Sequence, residues 1–396
     1  MITLADRVSR VKGSATLAMT TRAAELRAAG VDVLNLSVGE PDFPTPPHII
    51  AAAKQAMDDG YTRYTPGPGL PQLREAVTVK LSRDNGIVVP PEQVIVSNGA
   101  KHSLFNACMV LFQEGDEVII FTPYWVSFPE FVHMSHATPV IVGTDPDRQF
   151  EPLFDELAQK ITSRTKGIIM NSPSNPTGGV WSRASLERII EVARSHDLWL
   201  FSDECYESLS YDAPFESPAA IAPDYEKLLT FQSCSKTYAM TGWRIGYVTG
   251  PKEVVAAMSK IQGQSTSCPN SIAQIAAIAA LTGDQSVVAE MKDAFNRRRH
   301  LIVEQLSRIP NLTCREPGGA FYVFLNVSGL VGKQANGTRI KSPDDVTEYL
   351  LTEAHVATVS GEAFGDSEHI RLSYAASDEN LMEAANRIKS VVARLN

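Results

Sequence analysis

The sequence predicts an α/β protein, with a mostly parallel sheet between two layers of helices and a second, smaller domain toward the C-terminus. Three observations carry this. At 396 residues the chain exceeds the length at which one hydrophobic core stops growing. From about residue 93, short strands that are apolar on both faces alternate with amphipathic helical stretches, as in a sheet covered on both sides. Beyond the strongly helical run from about 251 to 308 that alternation changes, which marks the second domain.

The elements follow in order. The first thirty residues read as an arm and then a helix ending at Gly30, and this segment is expected to join the smaller domain. Val33-Leu34-Asn35-Leu36 is a short strand, followed by the turn-rich Gly39 to Pro44. Thr45 is placed to cap a helix starting at Pro46-Pro47, with Ile49, Ile50, Ala53 and Met57 on its apolar face and Gly60 as its stop. A further helix runs from Pro71 to Asn85. The sheet strands are Val94-Ile95-Val96, Val118 to Phe121, Gly167 to Met170, Leu198 to Phe201 and Leu228 to Phe231, with helical stretches such as Ala184 to Ser195 between them. Strands near Tyr322 to Asn326 and His369 to Ser373 and a helix from Ser377 make up the last segment. The polar stretch Gly332 to Gly337 reads as a surface loop.

Composition excludes several function classes. The formal charge of -9, from 36 basic and 45 acidic residues, disfavours a nucleic-acid partner, which needs a basic face. The five cysteines form no C-x-x-C pair and the eight histidines no H-x-x-x-H pair around a glutamate, so neither a disulfide framework nor a metal site is expected. The N-terminal twenty residues, with Asp6, Arg7, Arg10 and Lys12, hold no apolar run of signal-peptide length, and no stretch approaches a membrane span. The expected location is the cytoplasm.

In such sheets ligands bind outside the carboxyl ends of the strands. After the first strand, Ser97-Asn98-Gly99-Ala100-Lys101 opens a helix whose free N–H groups suit an anion, although a plain turn reads the same way. After the second come Tyr124 and Trp125, where a flat ring could stack or simply fill a core. After the third, Asn171 to Gly178 holds two X-Pro pairs, a stiff turn that fixes Asn175. After the fourth, Asp203 is a buried carboxylate in need of a cation, or a helix N-cap. After the fifth, Lys236 sits among small hydroxyl residues where desolvation lowers its pKa, and Arg244, read as beginning another strand, can grip a phosphate. Each piece has a bland alternative. Together they match a cofactor with a phosphate, a flat ring, a ring nitrogen to be kept protonated and an aldehyde, which is the inventory of pyridoxal phosphate (PLP).

The chain resembles the fold-type I aminotransferases of class I, and within them the bacterial aspartate and aspartate/prephenate branch. The resemblance runs from Ser14-Ala15-Thr16 to Arg371-Leu372-Ser373-Tyr374 and is strongest in Asn171 to Gly178, Ser202 to Tyr206 and Ser235 to Tyr247. It implies a seven-stranded sheet in a large PLP-binding domain at 46–285. The arm and part of the small domain would lie at 1–45 and the rest of the small domain at 286–396. It further implies that Lys236 bonds the cofactor and moves the substrate α-proton, that Asp203 keeps the ring nitrogen protonated, and that Tyr206 and Asn175 hydrogen-bond the ring oxygen. Trp125 would stack on the ring, and Gly99, Ala100, Lys101, Ser233 and Arg244 would surround the phosphate end. Tyr64 would reach the phosphate of a neighbouring subunit, which implies a homodimer with shared active sites. Arg371 would clamp the substrate α-carboxylate, with Gly39 and Asn175 beside it.

The same resemblance points Lys101 at the distal carboxylate of an acidic substrate, helped by Ser14 and Thr16, and Lys12 toward prephenate. The implied activity is transamination between aspartate or glutamate and their 2-oxo acids, with prephenate as a further acceptor. Aromatic or neutral amino acids are the nearest alternative, then, from another class, a PLP-binding regulator without turnover, and third elimination or cyclisation on PLP. Two departures stand out. Cys205 replaces the aliphatic residue common after Asp-Glu, and Cys234 lies between Ser233 and Ser235. Both read as packing variants.

Overall fold

The structure is a computed structural model that describes residues 4–5, 8–335 and 337–396. Asp6 and Arg7 of the arm therefore lie outside the described residues. Seven strands form the main sheet: β1 (Val94–Asn98), β2 (Glu117–Phe121), β3 (Thr138–Val142), β4 (Thr165–Asn171), β5 (Trp199–Asp203), β6 (Leu228–Ser233) and β7 (Ile245–Thr249). Their order is β1-β7-β6-β5-β4-β2-β3, and only β7 runs antiparallel to its neighbours.

The strands are apolar on both faces because both faces are covered, and their alternation sorts side chains into two layers. Ile95, Val118, Ile120, Phe201, Leu229, Phe231 and Val248 point to one layer and pack with Leu104, Phe128 and Met258 of the helices Ala100–Leu111, Ser127–Met134 and Lys252–Ser265. Val94, Val96, Ile245 and Tyr247 point to the other, under Pro47–Asp58, Pro71–Asn85 and Ser271–Thr282. The helix Arg183–Ser195 covers Ile168, Met170 and Leu200 on that same face.

A three-stranded antiparallel sheet follows: β8 (Tyr322–Asn326), β9 (Val359–Ser360) and β10 (His369–Ser373), in the order β8-β10-β9. A separate core joins β8 and β10 to the helices Ser286–Ser307, Pro343–Glu353 and Asp378–Val392. The start of the chain packs here too. Leu34–Asn35 pairs with Val356–Ala357, and the N–H of Ser373 donates to the carbonyl of Leu36.

The structure corrects several local expectations. Thr45 does not cap the following helix. That helix has Pro46 at its N-cap, and the Thr45 hydroxyl donates instead to the Ala239 carbonyl while accepting from the Trp243 indole. The helix buries Ile49, Ala53 and Ala56, whereas Met57 is exposed. The stretch from Gly332 to Gly337 is not a plain loop, because Gln334–Ala335 pairs with Thr338–Arg339. Arg244 does not begin β7. It precedes it with φ 58°, in the left-handed region.

Candidate active site

Parallel neighbours bring their carboxyl ends to one edge of the sheet, and the register fixes which residues meet there. Asn171 lies beside Asp203, and Asp203 beside Phe231. Because β7 runs the other way, its amino end returns to the same edge, with Gly246 opposite Ser233 and Ile245 opposite Asn98. Arg244 is thereby delivered to the strand ends from the opposite direction.

There Arg244 donates to the carbonyls of Thr241 at 2.8 Å and Asn98 at 3.4 Å. Its guanidinium lies over Gly99, where φ is +82° and an added Cβ would come within 2.4 Å of Nη2. Gly99 caps the helix Ala100–Leu111 without a side-chain hydrogen bond. First-turn N–H groups have no acceptor within their own helix, so a glycine-floored helix start beside a guanidinium is a cradle for an anion.

Asp203 is 5% exposed and accepts from the Cys205 N–H at 3.1 Å, so it forms an Asx turn rather than a helix N-cap. Burial pushes its carboxyl up to about 6, against the opposing pull of that N–H and of Lys236. It forms no ion pair among the described residues, and a cation is the partner it lacks. Lys236 donates to the Gly39 carbonyl. Burial pushes its amine down to about 8, reinforced by the positive charges of Arg371 and Arg244. Lys236 is therefore expected to become a free amine near pH 8 rather than above pH 10. Competitive acetylation of the cofactor-free protein across pH, read residue by residue, should show a Lys236 midpoint near 8. A midpoint at the ordinary lysine value would contradict the burial argument.

Arg371 is 2% exposed, on β10. Its Nη1 donates to the Asn175 side-chain oxygen and its Nη2 to the Ser37 carbonyl, both at 2.7 Å. Its guanidinium lies 4.5 Å from the ring centroid of Tyr322 and 5.1 Å from that of Phe364, and its Nε has no partner. No carboxylate of the described residues pairs with it. Asn175 is held in turn by Asn171, whose side-chain oxygen accepts the Asn175 N–H at 2.8 Å and whose amide donates to the Asp203 carbonyl at 3.0 Å. The Tyr206 and Tyr322 hydroxyls are 2.7 Å apart.

These groups line one cleft of about 430 Å³, a size suited to a small cofactor with its substrate. Gly39, Ala100, Lys101, Trp125, Asn175, Asp203, Tyr206, Ser233, Lys236, Arg244 and Arg371 all reach it, as do Ser14 and Thr16 at the start of the helix Ala15–Ala28. Gly99 lies directly beneath Arg244. The Lys101 ammonium sits 5.0 Å from the Trp125 ring centroid. Trp125 packs edge-on against Phe128 and Phe131. The Ser233 hydroxyl already accepts from the Ser235 N–H at 3.0 Å. Gly99 is not itself among the residues lining the cleft, and two further predicted residues lie away from it. Lys12 donates its backbone N–H to Glu130, and Tyr64 is 89% exposed.

The sequence reading missed Tyr322, Ser37 and Glu40, which complete the surroundings of Arg371 and Lys236. Tyr322 is hidden in an apolar strand, where a tyrosine reads as core. Both unusual cysteines keep their thiols protonated. Cys234 is wholly buried and pushed up to about 12, while Cys205 lines the cleft, with burial and then Asp203 raising it. A protonated thiol is a poor nucleophile.

The model of the family "Aminotransferase class I and II" matches residues 31–388. The chain belongs to this family. The match spans every cleft residue named above except Ser14 and Thr16 on the arm. Among curated members, the aspartate/prephenate aminotransferase of Cereibacter sphaeroides is 47% identical, with all of both chains covered. The aspartate aminotransferase of Rhizobium meliloti (strain 1021) is 44% identical over 99% of this chain and 97% of its own. Among solved structures, an aspartate aminotransferase from Rhizobium meliloti superposes with a TM-score of 0.96 at 43% identity, covering 100% of each chain. That of Thermus thermophilus with maleate gives 0.93 at 43% identity, covering 99% of this chain and 100% of its own.

Proposed function

We propose that this protein is a PLP-dependent aminotransferase that moves the amino group of aspartate or glutamate to a 2-oxo acid, with prephenate as a further acceptor. The observation that carries the reading is Arg371, a buried guanidinium without a carboxylate partner, facing the same cleft as the anion cradle and the depressed amine of Lys236. The family's curated members support the choice of aspartate. So does the structure of one of them with maleate, a dicarboxylate.

The residues present fit PLP. Gly99, the N–H groups of Ala100 and Lys101, and Arg244 suit its phosphate, and Asp203 awaits a cation such as a protonated ring nitrogen. Trp125 offers a ring face, and Tyr206 and Asn175 offer polar atoms near the ring oxygen. When bound, PLP supplies an aldehyde that condenses with amines and a protonated ring that accepts the electrons released at the amino acid's α-carbon. The chain supplies the rest. Arg371 grips the α-carboxylate through two N–H groups, assisted by the surroundings of Gly39 and Asn175. Lys236 would hold the cofactor through its aldehyde carbon and, once freed by the incoming amine, would take the α-proton as a general base and deliver it to that carbon, with the same transfer reversed toward the 2-oxo acid in the second half of the reaction. Asp203, anionic beside a cation, keeps the ring nitrogen protonated.

Lys101, with Ser14 and Thr16, is the proposed distal-carboxylate site. Lys101→Ala is expected to lower kcat/KM for aspartate roughly 10- to 100-fold, the worth of one hydrogen bond to a charged group, and to leave alanine turnover near its starting value. Equal losses for both substrates would move the distal site elsewhere. Lys12 lies outside the cleft of the isolated chain, so its part in prephenate use would require the arm to shift. We also propose a homodimer in which Tyr64 reaches the partner's phosphate cradle, in keeping with its near-complete exposure. The proposed domain division is 1–45 with 286–396, and 46–285. Among the described residues no single helix is long and apolar enough to cross a membrane.

Following ¹⁵N from labelled aspartate tests the reaction. The label should appear in glutamate when 2-oxoglutarate is the acceptor, and in arogenate when prephenate is. Release of free ammonia would point to elimination instead, and transfer only from aromatic or neutral amino acids would keep the chemistry and overturn the substrate.

A further inference from the structure

Behind the sheet, opposite the cleft, lies a charged group that the proposed reaction does not use. Lys80, on the helix Pro71–Asn85, is 2% exposed. Its ammonium donates to the side-chain oxygens of Asn85 and Glu207 at 2.7 Å and of Gln232 at 2.8 Å, so all three of its protons are used. The Gln232 amide donates onward to Asn85 at 3.2 Å and to Glu204 at 3.1 Å. Glu204, wholly buried, also accepts from Ser202 at 2.9 Å and Ser217 at 2.7 Å. The Gln232 oxygen takes a second donor, the Tyr247 hydroxyl, at 3.1 Å. None of these polar atoms is left without a partner.

The placement of this network is what matters. Along the chain its members interleave with the cleft residues. Asp203 and Tyr206 face the cleft, while Glu204 and Glu207 face the network. On the next strand Ser233 faces the cleft and Gln232 the network. A buried ion pair is weak evidence for stability, because apolar replacements of similar volume are often as stable or more so. A fully satisfied network fixes geometry instead. Burial pushes the Glu204 carboxyl up to about 7 in spite of its three donors.

Resting on the reading above, we propose that Lys80 and Gln232 are positioning residues for the reaction. One buried ammonium staples together, from behind the sheet, the two strand ends that carry Asp203 and Lys236. Small displacements of reacting groups cost rate steeply, so the staple acts on turnover rather than on substrate affinity.

The double variant Lys80→Met/Glu207→Gln removes the ammonium and its countercharge together and leaves Glu204 with its three neutral donors. In the cofactor-free protein, amide hydrogen exchange over 204–209 should accelerate while the melting temperature stays near that of the parent. In the loaded enzyme, kcat with aspartate should fall roughly 10- to 100-fold while KM stays within about two-fold. Gln232→Met, which keeps the Lys80–Glu207 pair, should show the same pattern more weakly, and it carries the test if the double variant does not fold. Folded variants with the parent's kcat and exchange rates would overturn the proposal. So would a kcat loss that only tracks a drop in melting temperature. A parent that transfers no amino group from any amino acid would remove the functional reading and this proposal together. A parent that transfers normally beside indifferent variants would remove the proposal alone.

Discussion

Replacing Arg371 with leucine is expected to abolish most turnover while leaving the fold and the cofactor site in place. Removing one side of a buried charged pair costs about 3–5 kcal/mol, which here corresponds to a loss of roughly 10²- to 10⁴-fold in kcat/KM. The loss should be similar for every substrate, because the α-carboxylate is common to all of them. That separates Arg371 from Lys101, whose removal should affect only substrates with a second carboxylate. Stability should respond far less. In the free protein the guanidinium is buried without a countercharge, held by two neutral oxygens and two ring faces. Leucine removes that desolvation cost but leaves the Asn175 and Ser37 oxygens without a donor, and the two effects oppose one another. Steady-state kinetics with aspartate and alanine, with thermal unfolding of the same sample, check both parts. A loss confined to dicarboxylic substrates would place the α-carboxylate elsewhere.

Asp203→Asn is expected to trade turnover for stability of the cofactor-free protein. The wild-type carboxyl has a folded pKa of about 6 against an ordinary 3.8, so burial favours its protonated form. Stability from this group is fully present below the unfolded value and is lost as pH rises toward 6. Above that, the buried anion costs roughly 3 kcal/mol, which asparagine does not incur. The variant's advantage in chemical denaturation should therefore be absent near pH 4, grow as pH rises to about 6, and then level off. In the loaded enzyme the order reverses, because asparagine cannot hold a ring nitrogen protonated. The kcat should fall by roughly 10²- to 10³-fold, the scale of losing an electrostatic partner aimed at the transition state. A variant with undiminished kcat would deny Asp203 this role.

Much of this was legible in the chain because each signal was local. Strands such as Ile168-Ile169-Met170, apolar on both faces, can lie only between two layers, so the α/β class followed from pattern alone. Strand ends announce themselves by abrupt changes in chemistry, as at Phe231 to Lys236, and a doubly covered sheet gathers those ends at one edge. What stayed hidden depends on distance in the chain. Tyr322 and Ser37 become neighbours of Arg371 only through the packing of β8 and β10 against the start of the chain, and nothing in their own segments marks them. Thr45 looked like a cap because its sequence context suits one, yet Ala239 and Trp243, nearly two hundred residues away, compete for its hydroxyl. The Lys80 network was invisible for the same reason. A lysine in a helix reads as solvated until a buried glutamate and glutamine are brought beside it from two other elements.

In the proposed reaction the cleft around Lys236 moves the amino group of aspartate to a 2-oxo acid with the help of bound PLP. The most direct test follows the absorbance of the purified, PLP-loaded protein as aspartate is added without an acceptor, and then as 2-oxoglutarate or prephenate is added. Aspartate is expected to convert the spectrum of the aldehyde form to that of the amine form, and either 2-oxo acid to restore it. A spectrum that no amino acid alters would contradict that reaction.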